Sequence, residues 1–332
     1  MLSRALKKAT DILQKNKVSF ATILTIPEFL QQAIKMYDLH MHSLYSNDGE
    51  FSPEQLVENC NICNIKVMSI TDHNTVAANF TAQKSAVKHN IKYIPGIEID
   101  CTFENTDFHV LGYQINFQDP AFAEIENNIR TQSMTISQIR LEKIKKLGLA
   151  ISETELNALS KDSYWPETWT GEMFAEVILS HPAYKNDPRL ESYRPGGKRS
   201  DNPLANFYWD FFAQGKPCFA KSKFPSMQEI IDIIHATGGY AVLAHPCVNL
   251  KGKMHLLSDI AKLKLDGIEV FSSYHCKEEA AAIRHFAQIN NLFITCGSDF
   301  HGKIKPAISL GQHHCSLTEK ELSDQLTKLL RK

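Results

Sequence analysis

Short apolar runs in this chain end, one after another, in histidine or acidic residues. Residues 37–42 close on His40 and His42, residues 67–71 lead into Asp72 and His73, and residues 93–99 contain Glu98. Residues 108–113 contain His109, residues 240–244 lead into His245, and residues 293–297 lead into Ser298-Asp299-Phe300-His301. Helical patterns fall between these runs. The first opens on Ser52-Pro53-Glu54: a capping serine, a proline at the first helical position and an acid in the first turn. Strands that alternate with helices and carry polar residues at their C-terminal ends predict an α/β barrel, because that fold gathers reactive side chains at one face.

The alternation stops near Pro120 and resumes near residue 220. In between, residues 121–147 have a helical period. A Pro/Gly-rich stretch follows, with Tyr164-Trp165-Pro166 and Tyr193-Arg194-Pro195-Gly196-Gly197-Lys198-Arg199. The expected organisation is a helical N-terminal extension at 1–35, a barrel made of 36–119 and 220–332, and an inserted, mainly helical subdomain at 120–219. A chain of 332 residues, 43% hydrophobic and 22% charged, has globular composition and room for this plan. Its formal net charge of −1 gives no global basic field for duplex DNA or a membrane surface. No apolar run reaches the ~20 residues of a membrane helix. Eight cysteines are too sparse for a disulfide scaffold and read as buried thiols of a reducing cytoplasm. Cys60 and Cys63 form a C-x-x-C without a second pair at zinc spacing. No obligate protein partner is expected.

The strand-end residues His40, His42, Asp48, His73, Glu98, His109, His245, Asp299 and His301 can all ligate metal. His40 and His42 are two apart, so on a strand they share a side, as do Asp299 and His301. The Glu98 carboxylate can bridge two cations, which a neutral imidazole cannot. A single histidine at a strand end is an ordinary hydrogen-bonded loop residue; a whole set gathered at such ends is not explained that way. Imidazole with carboxylate suits Zn, Fe or Mn. The chain has neither a G-x-S-x-G nucleophile elbow nor a G-x-x-x-x-G-K-[ST] phosphate loop.

The order His40-Met41-His42-Ser43, Thr71-Asp72-His73-Asn74-Thr75, Pro95-Gly96-Ile97-Glu98, His109, Ala244-His245-Pro246 and Ser298-Asp299-Phe300-His301 resembles the PHP (polymerase and histidinol phosphatase) superfamily. The resemblance covers residues 37–119 and about 220–312. It implies a distorted (βα)7 TIM-like barrel and a trinuclear centre of divalent ions. It also implies that the first ion takes His40, His42, Glu98 and Asp299, the second Glu98, His109 and His245, and the third Asp48, His73 and His301. The loop Ser46-Asn47-Asp48-Gly49 is one residue longer than the family's usual form; Asp48 carries the charge that Asn47 lacks and is the better ligand. Asn74 stands where the family often has Asp. Asp72 is read as an orienting residue beside His73.

Metal ions lower the pKa of bound water towards ~7. The expected activity is therefore hydrolysis of phosphate monoesters or diesters by a metal-bound hydroxide, with His245, Asp299 and His301 able to move a proton. The position of the insert, between the His109 and His245 strands, resembles the branch acting on nucleotide 3′,5′-bisphosphates and short RNA 5′ ends. Arg140, Arg194, Lys198 and Arg199 are the candidate phosphate-binding cations, with Tyr164, Trp165 and Trp169 as stacking surfaces. A histidinol-phosphate or other small-molecule phosphatase is the alternative substrate class, and a non-catalytic PHP scaffold the alternative to an enzyme. His313 and His314 have no partner motif and read as surface residues or as groups behind the ligands.

Overall fold

The computed structural model describes residues 37–250 and 252–330; the expected extension at 1–35 lies outside them. Strands β1 (Tyr37–Asp38), β2 (Val67–Met68) and β3 (Lys92–Tyr93) form a parallel three-stranded sheet. They are joined by α1 (Pro53–Ile62) and α2 (Ala78–Lys88). Helix α1 starts where the sequence predicts: Ser52 accepts from the Gln55 N–H, Gln55 caps back, and Pro53 occupies the first turn.

A second sheet runs in chain order through β4 (Gly96–Phe103), β5 (Thr106–Tyr113), β6 (Tyr240–Leu243), β7 (Gly267–Ser272) and β8 (Phe293–Gly297). β6, β7 and β8 are parallel, but β5 runs antiparallel to both β4 and β6. The expected distorted (βα)7 TIM-like barrel is met as a mixed α/β fold with parallel strands, whose two sheets do not close into one continuous barrel. β4 and β5 are a hairpin turned at Glu104 and Asn105, both with positive φ (47° and 58°), as a two-residue type I′ turn requires. The regular ladders of β1 to β3 are also only two residues long. Isolated bridges, Met41↔Phe300 and His73↔Glu98, link the two sheets on either side, without a continuous ladder. Both bridges involve residues just beyond strand ends or at their starts, so they bring the histidine-bearing segments together.

Helices cover the sheets. α7 (Met227–Ala236; with α3 to α6 in the segment described next) starts at a Ser226–Glu229 capping box and buries Ile230, Ile231 and Ile234 fully. Each such burial contributes about 1.5–3 kcal/mol. The middle segment holds α3 (Pro120–Lys146), α4 (Glu153–Ser160), α5 (Gly171–Ser180) and α6 (Pro203–Phe211). α3 spans ~40 Å. Its first half packs Phe122, Ile125 and Ile129 into the main core, while Leu141 and Ile144 join a separate cluster with Leu156, Trp169, Phe174, Leu190, Phe207 and Phe212. The remaining helices are α8 (Pro246–Leu250), α9 (Leu256–Ile260), α10 (Lys277–Ile289) and α11 (Glu319–Leu329). No helix among the described residues is long and apolar enough to cross a membrane.

Candidate metal centre

The nine strand-end residues converge. His40, His42, Glu98 and Asp299 place one ligand-type atom each within 4.8 Å of one another; so do Glu98, His109 and His245, and so do His42, Asp48, His73 and His301. Glu98, wholly buried on β4, is the hub: its Oε2 lies 3.1 Å from His40 Nε2 and 3.2 Å from His42 Nε2, and its Oε1 2.9 Å from His109 Nδ1 and 3.1 Å from His245 Nε2. Asp48 points at the cluster, with Oδ2 3.4 Å from His301 Nε2. Asn47 turns away, its amide oxygen accepting from the Trp165 N–H.

The outward ring nitrogens are held by acceptors, which fixes the tautomers by their partners. His40 Nδ1 donates to Glu269 Oε1 (3.0 Å), His245 Nδ1 to Asn249 Oδ1 (2.9 Å) and His301 Nδ1 to the Asp299 carbonyl (2.8 Å). His42 Nδ1 meets Ser46 Oγ (2.9 Å), which itself donates to Asp72 Oδ1. Asp72 thus acts on the cluster through Ser43 and Ser46, and its carboxylate touches none of the converging atoms. Asp299 is bound on one side only: Lys305 Nζ and the Tyr274 hydroxyl both donate to Oδ2, leaving Oδ1 facing His42 Nε2 at 3.0 Å.

The electrostatics match a cation cage. Burial would raise the Glu98 pKa, but His40, His109 and His73 outweigh it and hold the carboxyl well below its usual range. Burial likewise opposes charge on His42 and His109, yet the adjoining carboxylates, Asp299 and Glu98 foremost, lift both to about 9. His42 Nε2, Asp48 Oδ1, His73 Nδ1, Asp299 Oδ1 and His301 Nε2 are buried without a well-directed hydrogen bond, although His42 Nε2 and Asp299 Oδ1 stand 3.0 Å apart. Orphans concentrated on the inward face of one histidine–carboxylate cluster fit divalent cations, which would satisfy them together.

The cluster opens into a cavity of about 670 Å³ whose far wall comes from the middle segment. Trp165, Trp169 and Tyr208 line it. So does Arg140, whose guanidinium lies 5.8 Å from the Tyr208 ring centre and whose Nε is buried without a partner. The other expected cations are placed differently. Arg199 reaches the wall but is held by both Asp210 oxygens at 3.0 and 3.1 Å. Arg194 donates to the Tyr184 carbonyl, Lys198 is exposed, and neither lines the cavity.

Sequence reasoning missed several neighbours of the cluster. Asp100, 3.2 Å from His109 Nε2, lies two residues beyond Glu98 on the same strand face, so the strand period carried its signal. Glu269, Tyr274 and Lys305 approach from distant loops and strands and belong to no local motif. His313, read as a surface or supporting residue, is fully buried.

The PHP domain model matches residues 38–186. The 5′-3′ exoribonuclease Rnm of Escherichia coli is 29% identical over 285 residues, 83% of this chain and 88% of that protein. A 3′,5′-nucleoside bisphosphate phosphatase of Chromobacterium violaceum is 24% identical over 271 residues, 80% of this chain and 86% of that protein. A solved structure of a proposed metal-dependent phosphoesterase from Bifidobacterium adolescentis shares the fold at 23% identity, TM-score 0.70, over 89% of this chain and 95% of its own. The chain thus matches the PHP domain over residues 38–186 and, along most of its length, is similar to enzymes that hydrolyse phosphate esters.

Proposed function

We propose that this phosphoesterase hydrolyses nucleotide 3′,5′-bisphosphates or the 5′ ends of short oligoribonucleotides at a centre of three divalent ions, drawn from Mn, Fe or Zn. His40, His42, Glu98 and Asp299 would hold the first ion, Glu98, His109 and His245 the second, and Asp48, His73 and His301 the third. When bound, such ions activate water and neutralise phosphoryl oxygens. The chain's own groups do the positioning. Glu269 aims His40, and Lys305 with Tyr274 tethers Asp299 by one oxygen so that the other faces inward. The Nδ1 positions of His245 and His301 are committed to Asn249 and the Asp299 carbonyl, so these rings work as oriented ligands rather than proton carriers.

The observation that carries the substrate reading is the cavity. Metal-ligating side chains stand at one end, and Arg140 and the aromatic wall of Trp165, Trp169 and Tyr208 also line it. A phosphate bound at the cluster, a base on the aromatic wall and a second phosphate at Arg140 would fill it. In this reading residues 120–219 form the substrate-gripping subdomain. The relatives that act on RNA and on nucleoside bisphosphates support the same class.

The test is phosphate release from adenosine 3′,5′-bisphosphate, AMP, histidinol phosphate and a 5′-phosphorylated oligoribonucleotide, with Mn²⁺ and again after chelation. Chelator-sensitive turnover of the bisphosphate or the oligoribonucleotide well above the other two is expected. Preference for histidinol phosphate would overturn the substrate assignment.

A further inference from the structure

We propose that Cys296, His313 and Cys315 form a second metal site, separate from the histidine–carboxylate cluster, that takes a thiophilic d¹⁰ cation, Zn²⁺. One ligand atom from each of the three lies within 4.8 Å of the other two. Around a tetrahedral zinc, with Zn–S of about 2.3 Å and Zn–N of about 2.0 Å, donor atoms stand roughly 3.3–3.8 Å apart. Contraction by no more than about 1.5 Å closes the site. All three residues are buried: Cys296 and Cys315 are 2% exposed and His313 0%.

The donor set differs in kind from that of the main centre. It has two sulfurs and an imidazole and no carboxylate oxygen, which selects zinc or another thiophilic ion over manganese or magnesium. His313 is already oriented for ligation. Its Nε2 lies 2.7 Å from the Tyr37 carbonyl and must donate to it, so Nδ1 carries the lone pair. The partner shown for Nδ1 is the Cys315 N–H, at a long 3.3 Å. A ligating histidine braced through its other nitrogen by a backbone carbonyl is the usual arrangement around zinc. Charge balance also fits: two thiolates neutralise a divalent ion, so the occupied site adds no net charge to the surrounding core of Tyr37, Leu317 and Leu322. Three protein donors leave one coordination position, as in other Cys2His sets.

The location gives the site a structural role. Cys296 is on β8, three residues before Asp299, and His313 is tied to Tyr37 on β1, three residues before His40. An ion here would clamp the C-terminal segment across the two strands that deliver those side chains.

The full chain loaded with Co²⁺ tests this by absorption. The main cluster contains no sulfur, so a thiolate-to-cobalt charge-transfer band in the near ultraviolet reports a cysteine site alone. The band is expected in the wild type, in Glu98→Gln and in Cys60→Ser/Cys63→Ser. It is expected to vanish in Cys296→Ser and in Cys315→Ser, and to bleach when Zn²⁺ is added to the wild type. This last measurement needs no core variant to fold. No thiolate band in the cobalt-saturated wild type, or a band that persists in both folded Cys→Ser variants, overturns the proposal. So does an intact mass showing a Cys296–Cys315 disulfide in freshly purified protein.

Discussion

Replacing Glu269 by Gln isolates the support beneath the metal cluster from the ligands themselves. Glu269 is wholly buried and uses both oxygens as acceptors: Oε1 takes the His40 Nδ1 proton at 3.0 Å, and Oε2 takes the His245 backbone N–H at 2.9 Å. Glutamine has one acceptor oxygen. Its amide NH₂ must then face a donor, at His40 or at His245, and one of the two bonds is lost. Leaving a buried donor unsatisfied costs about 1–3 kcal/mol. If His40 is released, its ring no longer points Nε2 at Glu98. If His245 is released, a backbone held at φ +21° loses its tether. Either way the loss falls on ligand geometry, and an outer partner of a metal-ligating histidine typically accounts for about 10–100-fold in metal affinity. The assay is phosphate release against Mn²⁺ concentration after chelation, with a thermal melt to confirm folding. Glu269→Gln should need about 10–100-fold more Mn²⁺ for half-maximal rate, and excess Mn²⁺ should restore most of the activity. A folded variant with wild-type metal dependence would refute the reasoning.

Three other substitutions probe different parts of the site. Glu98→Gln removes the charge shared by five imidazoles and should reduce turnover to background at any metal concentration; activity near wild type would exclude Glu98 as a bridge between ions. Arg140→Ala should raise KM for a nucleoside bisphosphate far more than for a simple aryl phosphate, and equal effects on both would remove Arg140 from recognition of a second phosphate. Gly297→Ala would put a Cβ 2.2 Å from the His40 Cβ and 2.9 Å from Glu269 Oε1. The melting temperature should fall by an amount matching about 1–3 kcal/mol or more, and an unchanged melt would show that β1 and β8 can separate there.

The cluster was legible in the sequence because its ligands sit at strand ends in a fixed order, and short-range spacing, as in His40 and His42, sets which side they share. Asp100 was legible by the same rule, two residues beyond Glu98. Glu269, Tyr274 and Lys305 were not, since their roles arise from contacts to His40 and Asp299 across long stretches of chain. What the barrel reading did not foresee is the antiparallel β4–β5 hairpin. Glu104-Asn105 lacks the glycine that usually marks a two-residue hairpin, so two antiparallel strands looked like consecutive members of a parallel alternation. The cationic loop misled for a similar reason. Composition pointed to Arg194, Lys198 and Arg199, but Arg194 is used by the Tyr184 carbonyl and Arg199 by Asp210. Arg140, inside an ordinary helical period, lines the cavity and carries a buried Nε without a hydrogen-bond partner.

The central claim is that three divalent ions share this cluster and that hydrolysis requires them. Its most direct test is to strip the chain with chelator, reload it with Mn²⁺ while following phosphate release, and count bound manganese per chain; the hard Mn²⁺ ion discriminates against the thiolate site. Activity that reaches its maximum only as the third manganese binds is the predicted result. Full activity with a single manganese, or activity that survives complete removal of metal, would contradict the account.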